Sequence, residues 1–134
     1  MRTRQCDESV TTGRLHKAQQ FFQAATMIRD LADDESELGD AFVTLCVHAG
    51  IAAADAICCA ALGEHAMGEN HTEAVRLLRR VSPHGDSLGQ SLHKLLTLKT
   101  RAGYSDLSVN AEMRRRAQRA AEHLVTAAGD LARR

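Results

Sequence analysis

HAGIAAADAICCAALG, residues 48–63, carries one histidine and one carboxylate, His48 and Asp55, in a run otherwise made of small and apolar residues. The two are seven positions apart, two turns of a helix, so in a helix they point to the same side. Upstream the run continues through Phe42, Val43, Leu45 and Val47. A helix apolar on nearly every side is buried on nearly every side. The sequence therefore places a segment over about 37–62 at the centre of a bundle, where its small residues let neighbouring backbones approach closely.

The flanking sequence supplies the neighbours. Leu15, Ala18, Phe22, Ala25 and Ile28 or Met27 recur at three- and four-residue spacing and predict an amphipathic helix over 10–32. Ser36 is placed to cap the central helix, and Gly63 to end it in a left-handed conformation. Asn70 with Glu73 reads as a capping box opening a short helix, 71–81, with Ala74, Leu77, Leu78 and Val81 inward. The SPHG turn ends it. Ser87 with Gln90 opens a fourth helix, 87–106, whose stripe is Leu88, Leu92, Leu95, Leu96, Leu98 and Ala102. Asn110 caps a fifth, 111–132, with Ala117, Ala121, Leu124, Ala128 and Leu131 inward. The expectation is an all-α, four- to five-helix up-and-down antiparallel bundle in one domain, 10–132, preceded by a flexible segment, 1–9.

Composition agrees. With 134 residues, 44% of them hydrophobic, the chain buries a real core, and 3% aromatics with one proline leaves few strand formers. Asp40, His48 and Asp55 interrupt the greasiest region, so no membrane span is expected. The polar start MRTRQCDESVTTGR lacks the apolar core of a signal peptide, and the four cysteines show neither a CxxC pair nor a disulfide framework. Cys46, Cys58 and Cys59 read as small apolar packing residues, and the protein as cytoplasmic. Net charge is zero but unevenly spread. Residues 1–75 balance at −7, peaking in DLADDESELGD (30–40), and residues 76–134 at +7, peaking in MRRRAQR (113–119). Such asymmetry marks a nucleic-acid surface, an acidic partner or self-association, or else neutralises itself within one fold.

A buried carboxylate needs a partner, and Lys99, Arg101, His71 and the Tyr104 hydroxyl are the candidates for Asp55. His48 and Asp55 are thus expected to form a polar tie toward the 99–104 region, lining a small cleft. A metal set of His48, Asp55, His65 and His71 fits no HExxH or EF-hand spacing, so no metal or other cofactor is expected. A cysteine nucleophile is disfavoured in so apolar a helix. Lys99, Arg101 and Tyr104 near one helix end, followed by Arg114, Arg115 and Arg119, set cations beside a stacking aromatic, which suits phosphate and base.

The succession HAGIAAADAICCAALGEHAMGENHTEAVRLL followed by LHKLLTLKTRAGY resembles the HEPN superfamily of small prokaryotic helical bundles, in its actinobacterial branch. The matching elements are the apolar helix 42–63, His71 with Ala74-Val75 and Leu77-Leu78, and Arg101 to Tyr104. The resemblance implies a bundle, often a homodimer, that binds or acts on RNA or nucleotides. It also implies a toxin–antitoxin or phage-defence setting with a protein partner such as an antitoxin. Nucleases of that group carry an R-x4–6-H motif. Arg79 with His84 and Arg116 with His123 match it formally, the first with its histidine in a Pro-Gly turn, the second without a polar residue after the arginine. The expectation is a non-enzymatic or catalytically degenerate bundle binding RNA, a nucleotide or a protein through His48, Asp55, His71, Lys99, Arg101 and Tyr104. The alternatives are a metal-independent ribonuclease and a structural homodimerising protein.

Overall fold

A computed structural model of the chain describes residues 1–68 and 71–133. Asp7 starts the first helix, α1 (Glu8–Leu31), two residues before the apolar pattern does, because its carboxylate accepts the Val10 N–H at 2.8 Å. The central helix, α2 (Gly39–Leu62), starts without the expected cap. Ser36 is held by Asp34 instead: its N–H and its hydroxyl both donate to Asp34 Oδ1 at 2.9 Å, inside the turn that precedes the helix. Gly63 ends α2 at φ +77°, its N–H returning to the Cys59 carbonyl.

The third helix, α3 (His71–Leu78), is shorter than its periodicity predicts, since residues 79–81 tighten into turns before Pro83. Asn70, its predicted cap, lies outside the described residues. In α4 (Gly85–Gly103) the N-cap is His84, and Ser87 sits inside the first turn with its hydroxyl donating to the His84 carbonyl. The last helix, α5 (Ala111–Ala132), starts as read, Asn110 Oδ1 accepting the Met113 N–H at 2.9 Å.

The result is an all-α antiparallel bundle built around α2, which packs along α1, α5 and α4. By length and composition alone α2 would suffice to cross a membrane, its interrupting charges notwithstanding, yet most of its residues are buried among the other helices. Gly50 marks the tightest approach. A methyl group there would overlap Leu95 Cδ1 of α4 and press on Leu124 of α5 at 3.3 Å.

Two features correct the sequence reading. The N-terminal segment is stitched down, not loose: β1 (Thr3–Gln5) pairs antiparallel with β2 (Glu64–Ala66), Arg4 opposite His65. Cys59 is not merely a packing residue, because it forms a disulfide with Cys6 across 53 residues, Cα–Cα 5.5 Å. Cys46 and Cys58 do behave as packing residues; both are buried and free, and burial pushes each thiol up to about 12.

The bond closes a long loop, for which chain-entropy reasoning gives about 4 kcal/mol, and natural bridges deliver about 2–4 kcal/mol. Cys6→Ser is expected to lower the unfolding free energy by about 2–4 kcal/mol. Denaturant titrations of wild type with and without reductant should reproduce the difference, and superimposable curves would show that the bridge contributes nothing.

Candidate anion-binding groove

His48 and Asp55 do share a side of α2, but that side faces α1. Arg14 and Phe21 of α1 are also seven residues apart, and running antiparallel they meet the pair one to one. Arg14 Nη1 lies 3.7 Å from Asp55 Oδ2, and the Phe21 ring stands 5.6 Å from that of His48. His48 is exposed and Asp55 half-buried. Neither forms the expected tie to Lys99, Arg101 or Tyr104. Burial pushes the Asp55 carboxyl up from its ordinary value, opposed by the nearby His65 and by Arg14.

The rest of the predicted cluster separates as well. Lys99 does meet His71: Nζ, which can only donate, lies 3.0 Å from His71 Nε2. Arg101 Nε donates to the Ser108 carbonyl and braces the α4–α5 loop. Tyr104, at 78% exposure, stands in that loop. His65 of the discarded metal set is buried in β2, its Nδ1 donating to the Ala66 carbonyl at 2.9 Å and its Nε2 without a partner among the described residues. Among those residues no three or more His, Cys, Asp or Glu side chains are placed to hold a metal ion.

The cations of α5 divide by face. Arg114 leans over Gly39, its Cδ 3.2 Å from where a side-chain carbon would stand, and helps hold the Asp34 carboxyl below its usual range after the Ser36 hydrogen bonds. The acidic turn and part of the basic peak thus lie close together at one end of the bundle. Arg115 pairs with Glu112 at 2.9 Å, a contact that lowers the glutamate's pKa. Arg119 turns to another face, together with Arg116.

That face holds the candidate site. A groove of about 490 Å³ between α4 and α5 is lined by Ser91, Lys94, Glu112, Arg116, Arg119, Ala120 and His123. On α5, positions 116, 119, 120 and 123 form one helical stripe, and 91 and 94 do the same on α4. Of the two formal R-x4–6-H matches, this is the one whose arginine and histidine line one groove. Arg79 lines a separate groove between α3 and α4, with His71, Arg76 and His93, whereas His84, at the start of α4, is not among that groove's lining residues.

Within the groove His123 is oriented by a residue that the sequence does not point to. Ser91, only 9% exposed, has its hydroxyl 2.8 Å from His123 Nδ1. A hydroxyl can donate to Nδ1 when the ring is neutral or accept from it when the ring is protonated, so either state is held and Nε2 is left for a ligand. Lys94, Arg116 and Arg119 bring three positive charges against one lining carboxylate, Glu112, which is hydrogen-bonded to Arg115 and also sits in the field of Arg116 and Arg119. The arrangement can take up an oxyanion such as phosphate, with directional donors from the guanidinium groups. Comparison with protein-family models finds no match to this chain, and comparison with curated proteins finds none either.

The α1–α2 seam generates a stability prediction. Because the folded-state pKa of Asp55 is raised, its contribution favours the fold below the ordinary carboxylate value of 3.8 and is lost as pH rises through the folded value. Asp55→Asn should therefore raise the melting temperature at pH 7 relative to wild type, and the gain should disappear below pH 3.8. A loss of stability at pH 7 would mean that the Arg14 ion pair outweighs the cost of burial.

Proposed function

We propose that this chain is a HEPN-like bundle that binds RNA by its phosphates in the α4–α5 groove, without cutting it. The observation that carries the reading is the convergence of Lys94, Arg116, Arg119 and a serine-held His123 on one groove from two helices. Phosphate contacts supply most of the affinity of such proteins and make it fall with salt, with a logarithmic slope of about −0.7 per contact for single strands. Three cations give a slope of about −2. Fluorescence anisotropy with a labelled single-stranded RNA should show that slope for wild type. Arg116→Ala and Arg119→Ala should each weaken binding about tenfold and flatten the slope by about 0.7. An affinity indifferent to salt and to both substitutions would sink the reading.

One observation favours a second reading. Arg116 and His123, the residues of the R-x4–6-H pattern, share the groove, with the imidazole aligned by Ser91. Those are the parts a metal-independent ribonuclease would use, the arginine to stabilise charge on the transferring phosphate and the histidine to move a proton. Incubation of wild type and His123→Ala with mixed RNA in EDTA distinguishes the two. Intact RNA throughout supports the binding protein; cleavage lost on substitution establishes the nuclease.

A further inference from the structure

The groove does not end at His123. That side chain also lines a second cleft, of about 280 Å³, which continues along the α4–α5 seam toward the other end of the helices. Its character is different. Where the first cleft is cationic, the second is floored by Val81 and Leu88, both buried, and walled by Pro83, Ala127 and Leu131, with the Ser82 and Thr126 hydroxyls and the His84 ring at its edge. Its acidic residue, Asp130, is paired with Arg133 at 3.1 Å.

We infer that this apolar cleft is a seat for one nucleobase of the same ligand, whose phosphate lies on Arg116, Arg119 and Lys94. The inference rests on the reading of the groove as a phosphate site. A bare oxyanion would use the cationic half alone and leave an adjoining apolar hollow in water. A nucleotide has both parts in covalent succession: an anion, then a sugar that would pass His123, then a flat ring with an apolar face and polar edges. Apolar walls bury the ring face, and hydroxyls at the rim meet its edge, which is how single-stranded bases are held when they are splayed out of a stack. His84, a flat ring on the opposite helix from Thr126 and Ala127, adds a stacking surface. The first cleft, of about 490 Å³, falls within the range that whole-ligand sites occupy, and the second, of about 280 Å³, lies just under its lower end, as a subsite for one part of a ligand does.

The test compares ribose 5-phosphate with adenosine and uridine 5′-monophosphates, by titration calorimetry and by amide chemical-shift mapping of the whole chain. The ribose phosphate should shift resonances around Arg116 and Arg119 only, and the nucleotides should also shift Thr126, Ala127 and Leu131. Stacking of a base is worth about 1–3 kcal/mol, so nucleotides should bind at least about fivefold more tightly than the ribose phosphate. Ala127→Gln, which extends a side chain into the cleft, should shrink that margin below about threefold while leaving ribose phosphate affinity unchanged. Thr126→Gln, at an exposed position on the same wall, should do likewise and serves if the first variant melts early. Equal affinity for ribose phosphate and nucleotides, with Arg116 still required, would overturn the base seat and leave the phosphate site standing. A nucleotide margin that survives both substitutions would also overturn it, by placing the base elsewhere. Failure of ribose phosphate, nucleotides and RNA alike to bind would remove the phosphate reading and the base seat with it.

Discussion

The structure depends on how closely α2 lets its neighbours approach. At Gly50 there is no room for a β-carbon between the backbone and Leu95, and Leu124 closes in from α5. The small residues around it, Ala49 and Ala52 to Ala54, are buried without bulk of their own, so at this level the large side chains come from Leu95 and Leu124 of the neighbouring helices, while α2 adds Phe42, Val43, Val47 and Ile57 on either side. Apolar area is removed from water most completely where backbones lie close and side chains interdigitate. With α2 filling the centre, α4 and α5 lie side by side across it and cover it with Leu88, Leu92, Leu95 and Leu98 on one and Ala117, Ala121, Leu124 and Ala128 on the other. The polar stripes flanking those apolar ones are then forced to face each other along the seam. The groove is a consequence of the packing beneath it.

The same geometry explains how much the sequence disclosed. Periodicity marks an apolar stripe, and the five helices follow from it with small errors at their ends. Those errors have local causes: Ser36 was contested by Asp34, and Ser87 found the His84 carbonyl from within the helix, so two serines that looked like caps are not. The seven-residue spacing of His48 and Asp55 correctly gave one face, but spacing along one helix says nothing of which neighbour that face meets. Arg14 and Phe21, equally spaced on α1, were the signal that could have named it. The Cys6–Cys59 bond joins residues whose proximity is created by the fold alone. For the groove, Arg116, Arg119 and His123 were legible as one stripe, whereas Ser91 and Lys94 come from another helix and become visible only when the two are packed.

The disulfide also bears on where such a chain would be stable. Bridges of this kind persist in oxidising surroundings and are uncommon in a reducing cytosol. The bond pins the start of α1, through β1, to the end of α2, and the paired strands beside it fasten the same ends a second time. Reduction would therefore act first on the β1–β2 end of the molecule. The α4–α5 groove draws its walls from α4 and α5, which pack on the middle of α2 and do not include the bridged residues.

The charges in the groove are hard to account for as stabilisers of the fold. Arg115 and Arg119 are one turn apart, and like charges at that spacing destabilise a helix by some tenths of a kcal/mol. Arg114 and Arg115 come at the end of the first turn of α5, where the helix dipole disfavours cations. Arg114 lies in reach of the acidic turn at Asp34, and Arg115 is paired with Glu112. Arg116 and Arg119 share the field of the single carboxylate Glu112 with Arg115, which also hydrogen-bonds it, and Lys94 has no ion pair among the described residues, although the three cations crowd one groove with His123. A surface that sets three cations against one shared carboxylate is less stable than one that balances both signs, and an anion entering the groove would relieve that repulsion while gaining its own hydrogen bonds. The imbalance at the seam is thus the part of the +7 half of the chain that the −7 half does not answer, and a phosphate-bearing ligand is the chemistry that would answer it.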